Sequence, residues 1–321
     1  MALMEELEGF VGENLSLLTP IEQAWQPSDL LPDLTGEDWA QRLGEFRAST
    51  AHISDELLVV LVGNMITEEA LPNYSNALSW VSGINTGDSQ TPWAHWLRGW
   101  TAEENRHGDL LNAFLRLTGR VDMRAVELTI HHLIYNGFSA RHQGNPCAGM
   151  IYTAFQERAT RISHGNVGKI AAAQGDENLG RICRRIAGDE ARHETFYTRI
   201  VGQMIERDPE AGVLAFREML RGIIAMPGRL MDDGRDPNIY DHFSSVAQRI
   251  GVYTARSYSQ IIAHLLEVWG IPHLSVSGKA ARAQEYLCRQ PERYESFADE
   301  IAETIAKQPP IHFSWIQGRP T

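Results

Sequence analysis

The sequence has little cysteine: Cys147, Cys183 and Cys288 are far apart and odd in number. None has a Cys-x-x-Cys partner, so a disulfide framework is excluded and a reducing compartment fits. No apolar run reaches the roughly 18 uninterrupted residues of a membrane span, and a soluble protein is expected. The start, Met1 to Leu18, mixes Glu5, Glu6, Glu8 and Glu13 into its apolar residues and lacks a basic leader, which argues against a secretory or organelle-targeting segment. There is no Lys/Arg-rich run either. With 29 Lys and Arg against 41 Asp and Glu, a formal charge of −12 argues against nucleic acid, whose phosphates need a basic surface. An acidic partner would need a local basic patch. The absence of His-Glu-x-x-His, Gly-x-Ser-x-Gly and a Gly-rich phosphate loop removes the common zinc-protease, serine-hydrolase and nucleotide readings.

What is present is a chain of 321 residues with the composition of an ordinary globular protein, long enough for one large core or two modest ones. Its most informative feature is a doubled pattern. Glu103-Glu104-Asn105-Arg106-His107 and Asp189-Glu190-Ala191-Arg192-His193 each read acid-Glu-x-Arg-His. On a helix, residues three apart share a face, so Glu104 with His107, and Glu190 with His193, each offer a carboxylate and an imidazole to one point. Two such units suggest two metals.

The apolar pattern predicts a helix over about 54–81, kinked or divided at Pro72. A loop follows from Ile84 to Pro92, then a helix over about 93–117 ending near Gly119, and another over 124–136 closed by Gly137. Gly144 to Gly149 reads as a loop rich in breakers. Two long helices are expected at about 148–173 and 178–206, and shorter ones at 210–224, 240–250, 254–268, 277–289 and 293–307. No sheet emerges and no linker forces a boundary, so one all-helical domain over residues 1–321 is expected, its C-terminal helices packed on a bundle.

A two-metal bundle of this kind takes a Glu from each of two helices and a Glu-x-x-His from each of two others. Glu68 lies 36 residues before Glu104, and Glu157 lies 33 before Glu190, intervals that allow antiparallel neighbours. Glu69 competes with Glu68. Glu103 and Asp189, four residues before a His, are candidates to hold imidazole N–H groups or arginines. Four glutamates balance two divalent ions, and an oxygen-rich set with one imidazole per ion suits Fe or Mn better than a closed zinc site. Thr160 shares the helix face of Glu157. His164 could face the bundle in a hydrogen-bonded structural role, whereas consecutive His131 and His132 point about 100° apart.

The stretches Trp100 to Gly108 and Asp189 to Glu194 resemble the metal motifs of the soluble acyl-carrier-protein desaturases of the stearoyl type. So do Val59 to Pro72, Phe155 to Thr160, Ile162 to Asn166, Asp241 to Arg249 and Phe313 to Trp315, and the resemblance runs from about residue 15 to residue 316. It implies an all-α, ferritin-like helical bundle with additional C-terminal helices. It also implies a di-iron centre of two Fe ions held by Glu68, Glu104, His107, Glu157, Glu190 and His193, settling Glu68 over Glu69. The implied reaction is O2-dependent desaturation of a fatty acyl chain on acyl carrier protein, with two electrons from a ferredoxin-like donor. Such C–H bonds have no useful acidity, so the metal must supply the oxidising power.

The resemblance further makes Thr160 a proton relay or hydrogen-bond donor, and Trp25 with Asp189 an electron path. A substrate tunnel would be lined at Ala77, Trp80, Val81, Gly149 and Met150. Plant-type relatives have smaller residues where Trp80 stands, so a shortened or redirected cavity is expected and stearoyl specificity is not carried over. Arg158 with Arg161, Arg181 with Arg184 and Arg185, and Arg217 with Arg221 fall at helical spacing as candidate docking residues, while Ile223 replaces a lysine common in plant relatives. A homodimer is implied. Plant relatives carry a plastid leader and this chain begins at Met1, so a bacterial cytoplasmic protein is expected over a processed plastid one. The competing readings are a di-iron oxygenase or hydroxylase on another carrier-bound substrate, and a non-catalytic iron-binding bundle.

Overall fold

A computed structural model describes residues 2–79, 87–140 and 144–321. In chain order its α-helices are α1 (Ala2–Glu6), α2 (Glu8–Asn14), α3 (Trp39–Thr50), α4 (Asp55–Glu68), α5 (Leu71–Ser79), α6 (Pro92–Thr118) and α7 (Met123–Asn136). They continue as α8 (Pro146–Ala173), α9 (Glu177–Arg207), α10 (Pro209–Met219), α11 (Ile239–Arg249), α12 (Ala255–Val268) and α13 (Gly278–Ala306). Among the described residues there is no strand, only an isolated antiparallel bridge between His312 and Pro320.

Local chemistry sets most of the boundaries. Ser54 caps α4 by accepting from the Leu57 N–H, with Asp55 and Glu56 in the first turn, and residues 57–68 are all buried. A helix apolar on every side belongs in the middle of a bundle. It stops after Glu68 because Pro72, which has no N–H and whose ring would clash with the carbonyl four residues earlier, is best tolerated in a first turn; it occupies that place in α5. The helix expected over 54–81 is therefore divided, and residues 80–86 lie outside the described residues. Thr91 caps α6 and Gly119 closes it at φ 67°, a left-handed conformation that glycine adopts without strain.

Three boundaries differ from expectation. The breaker-rich loop before α8 ends sooner, since Asn145 caps the helix and Pro146 takes its first position, so Gly149 is helical. Helix α10 ends at Met219 rather than 224; beyond it the Ile224 N–H is taken by the Tyr258 hydroxyl at 3.0 Å. The helices expected at 277–289 and 293–307 are one, α13, running through Pro291. An interior proline costs about 3 kcal/mol. Here Leu287, Gln290 and Ala298 are buried, and Ser259 of α12 donates to the Pro291 carbonyl at 2.7 Å, so tertiary packing holds the helix through the break.

Two apolar cores form. One gathers Trp93 to Trp100 of α6, the N-terminal half of α8, the C-terminal half of α9, and α1, α2, α10, α12 and α13. The other gathers α4, Leu110 to Leu115 of α6, the second half of α8, the first half of α9, and α3, α7 and α11. Between them, at the waist of α6, α8 and α9, lie the residues 103–107, 157 and 189–193. No helix among the described residues is long and apolar enough to cross a membrane.

Candidate metal centre

The last residue of α4, the middle of α6, the middle of α8 and the middle of α9 bring Glu68, Glu104 with His107, Glu157, and Glu190 with His193 to one place. Each is at most 4% exposed. Their ligand atoms form two groups, Glu68, Glu104, His107 and Glu190, and Glu104, Glu157, Glu190 and His193, with the atoms of each group within 4.8 Å of one another. Glu104 and Glu190 belong to both. One imidazole and one outer carboxylate thus stand at each end of a shared pair of carboxylates.

The donor atoms fit cations better than they fit each other. Nδ1 of His193 lies 3.4 Å from Oε2 of Glu157, and Nδ1 of His107 lies 3.4 Å from Oε1 of Glu190. Nδ1 of His193 also approaches Oε1 of Glu104 to 2.8 Å, yet Glu104 Oε1, His107 Nδ1, Glu157 Oε2, Glu190 Oε1 and His193 Nδ1 are buried without a hydrogen bond of good geometry. Unpaired buried polar atoms are costly, and several converging on one spot point to an ion. Burial pushes the carboxyl of Glu157 well above its usual range and raises that of Glu68. Burial would raise Glu104 too, but His107 and His193 outweigh it and hold its carboxyl at about 2. Both imidazoles, despite burial, are held well above their ordinary value by the surrounding carboxylates, as expected where negative charge awaits a cation.

Neighbours set the orientation of each donor. Nε2 of His193 on α9 meets Oε2 of Glu103 on α6 at 2.9 Å, and Nε2 of His107 on α6 meets Oδ2 of Asp189 on α9 at 3.3 Å. The two motifs therefore serve each other crosswise, turning both Nδ1 lone pairs inward. Arg192 joins the two acids, donating to Glu103 at 3.0 Å and Asp189 at 2.8 Å. Trp100 donates to Oε1 of Glu157 at 2.9 Å, and Nε2 of His164 meets Oε1 of Glu68 at 2.8 Å.

Beside the centre is a narrow cavity with Glu68, Glu104, Glu157 and Glu190 in one wall. Ala77, Leu78, Phe138, Ala140, Gly149 and Tyr152 supply an apolar part of the rest, suited to an alkyl chain.

The family described as fatty acid desaturase matches residues 1–317. This chain belongs to the fatty acid desaturase family. It is 50% identical over 99% of its length, and 82% of the relative's, to stearoyl-[acyl-carrier-protein] 9-desaturase 1, chloroplastic, of Arabidopsis thaliana. The same identity and coverage relate it to the chloroplastic acyl-[acyl-carrier-protein] desaturase of Cucumis sativus. The X-ray structure of the putative acyl-ACP desaturase DesA2 of Mycobacterium tuberculosis is similar in fold, with a TM-score of 0.59 at 20% identity, covering 88% of this chain and 99% of that one.

In this desaturase-family chain the other expected residues are placed as follows. Ala77 and Gly149 line the cavity. Met150 does not: it is buried in an apolar core, because one residue along a helix turns the side chain by about 100°. Trp80 and Val81 lie outside the described residues. Thr160 lines the cavity, but its hydroxyl lies 3.1 Å from the carbonyls of Gln156 and Glu157 and donates to the backbone. The half-buried Trp25 donates to Asp189 at 3.0 Å, and its ring stacks at 8° on that of His107, centroids 6.1 Å apart. It borders a surface depression with Arg181, Arg185 and Arg192.

Of the other arginine clusters, Arg158 and Arg161 both pair with Glu194, at 2.6 and 2.9 Å, and Arg217 and Arg221 both pair with Glu218. Their charge is already partly answered. Sequence reasoning missed Trp100 as the partner of Glu157. The signal was its position four residues before Glu104, one turn along the same face.

Proposed function

We propose that this chain desaturates a fatty acyl chain carried on acyl carrier protein, with O2 as oxidant. The observation that carries the reading is the shared position of Glu104 and Glu190 in two buried ligand groups that open directly onto an apolar cavity. The six residues Glu68, Glu104, His107, Glu157, Glu190 and His193 would hold two iron ions, which when bound supply the oxidising power that no side chain has.

The remaining work belongs to the chain. Glu103 and Asp189 keep the imidazoles in the tautomer that faces the ions, and Trp100 and His164 fix the outer carboxylates. Ala77, Phe138, Gly149 and Tyr152 hold the alkyl chain in place and exclude water. Trp25 and Asp189 connect the arginine-bordered depression to His107, a path for two electrons from a ferredoxin-like donor. In balance, the saturated chain, O2, two electrons and two protons become the alkene and two waters. The same reading, resting on the resemblance, carries one ferritin-like domain over residues 1–321 and a homodimer.

The test is anaerobic reduction of iron-loaded protein, then O2 with a panel of acyl-carrier-protein substrates and mass spectrometry of the products. Loss of two hydrogens is expected. A product that has gained oxygen would assign the site to hydroxylation instead.

A further inference from the structure

Among the described residues, no side-chain hydroxyl in the walls of the cavity beside the metal centre has a free proton. Five hydroxyl side chains line it, and each donates to a backbone carbonyl: Thr67 to Gly63 at 2.9 Å, Tyr74 to Glu68 at 3.3 Å, Tyr152 to Ala225 at 2.8 Å, Thr153 to Gly149 at 3.1 Å, and Thr160 to Gln156 and Glu157, both at 3.1 Å. The Trp100 indole N–H is taken by Glu157. Among the described residues, one polar atom in the wall is left over besides the carboxylate oxygens of the candidate metal ligands. Gln156 is 8% exposed and lines the cavity; its Nε2 donates to the Ala225 carbonyl at 3.2 Å, while its Oε1 has no hydrogen-bond partner. The bond to Ala225 fixes which end of the carboxamide is which, because the reverse orientation would set oxygen against oxygen.

An alkyl chain cannot satisfy that oxygen. Leaving a buried acceptor unpaired costs about 1–3 kcal/mol. Thr160 stands one turn further along the same face of α8, its proton given to the backbone and its oxygen lone pairs still able to accept. Two acceptors one turn apart suit a small double donor, and a buried water with such partners is a normal structural component.

We propose that Gln156 is a positioning residue that, with Thr160, holds a proton-donating water in the cavity wall beside the metal ligands. Its chemistry rests on the desaturase reading, in which reducing O2 to two waters takes two protons from solvent. Because every side-chain hydroxyl of the described wall is committed, each of the two protons would pass through the water, which gives one up toward the metal site and regains one from solvent each time. Thr160 then serves as an acceptor that orients the water, not as the donor itself.

The experiment compares the metal-loaded wild type with Gln156→Met, which keeps the side-chain length and removes the carboxamide. In a high-resolution crystal structure a water within hydrogen-bond distance of Gln156 Oε1 is expected in the wild type and not in the variant. Iron content should be equal. The fraction of consumed O2 that appears as unsaturated product should fall severalfold in the variant, with the difference released as hydrogen peroxide and a larger solvent deuterium isotope effect. Should Gln156→Met fail to fold, Thr160→Val removes the second partner and should give the same uncoupling. A wild-type structure in which Oε1 is bonded to protein with no water, or a fully coupled variant, overturns the proposal. Wild-type protein that yields no desaturated product defeats the desaturase reading instead, and the crystal structure still decides whether the water is there.

Discussion

Oε2 of Glu103, on α6, lies 2.9 Å from Nε2 of His193, on α9, so the acid beside one candidate ligand orients the imidazole of the opposite motif. Glu103 also receives the Thr19 backbone N–H at 2.7 Å and Arg192 at 3.0 Å. Removing it leaves a buried imidazole N–H without an acceptor and frees the ring to turn. Glu103→Ala is expected to weaken metal binding by about 10–100-fold, the usual cost of losing such a partner. Glu103→Gln, which keeps an acceptor oxygen, should lose less. Iron titration of the apo protein measures both, and equal affinities in wild type and Glu103→Ala would show that the contact does not support the site.

The two ends of the centre give a second prediction. Glu157 and His193 belong to one ligand group and not to the other, whereas Glu104 and Glu190 belong to both. Glu157→Gln or His193→Ala should therefore lower iron stoichiometry and abolish turnover, while changes at the shared glutamates disturb both ions. Metal analysis of the purified variants is decisive: full iron content in both end variants would defeat the ligand assignment.

How far these residues were legible in the sequence depended on whether the signal was local. The spacing of Glu104 with His107 and Glu190 with His193 is a property of one helix, and the intervals back to Glu68 and Glu157 are those of antiparallel neighbours, so the clustering could be read in advance except for the choice between Glu68 and Glu69, which spacing left open and the resemblance decided. The crosswise service of Glu103 to His193 and Asp189 to His107 could not, because it is decided by which helices face one another. Helix α3 escaped notice since only Phe46 and Thr50 of it are buried, leaving almost no apolar stripe to see. In α13 the proline rule was sound locally and was overridden by packing on α12. Met150 shows the limit of carrying a lining residue over from a resemblance: its neighbour Gly149 faces the cavity and it faces the core.

A third prediction concerns pH and lies far from the metals. Burial alone would raise the Asp233 carboxyl, but the Asp236 N–H at 2.8 Å, the Ser314 hydroxyl at 2.6 Å and the Arg235 N–H at 3.0 Å all donate to it and hold it below its ordinary value. A depressed carboxylate stabilises the fold above its unfolded pKa of about 3.9 and loses that contribution as pH falls through the lower folded value. Asp233→Ala should cost about 1 kcal/mol at neutral pH, since it takes the acceptor from three part-buried hydrogen bonds. Denaturant melts at neutral and strongly acidic pH test it. The gap between wild type and variant should narrow on acidification, and a gap that widens would contradict the sign.

The last prediction ties cavity shape to substrate. Ala77 on α5 and Gly149 on α8 both line the cavity and are among the smallest residues in its wall. Their small size leaves space in that wall. Filling that space with an aromatic ring, as in Ala77→Phe, removes room for several methylene groups, each of which is worth about 0.8 kcal/mol when buried. The variant should retain its iron and prefer shorter acyl chains, with activity on the longest substrates falling by an order of magnitude or more. A competition assay with mixed chain lengths reads this directly, and an unchanged preference would mean that the alkyl chain runs elsewhere.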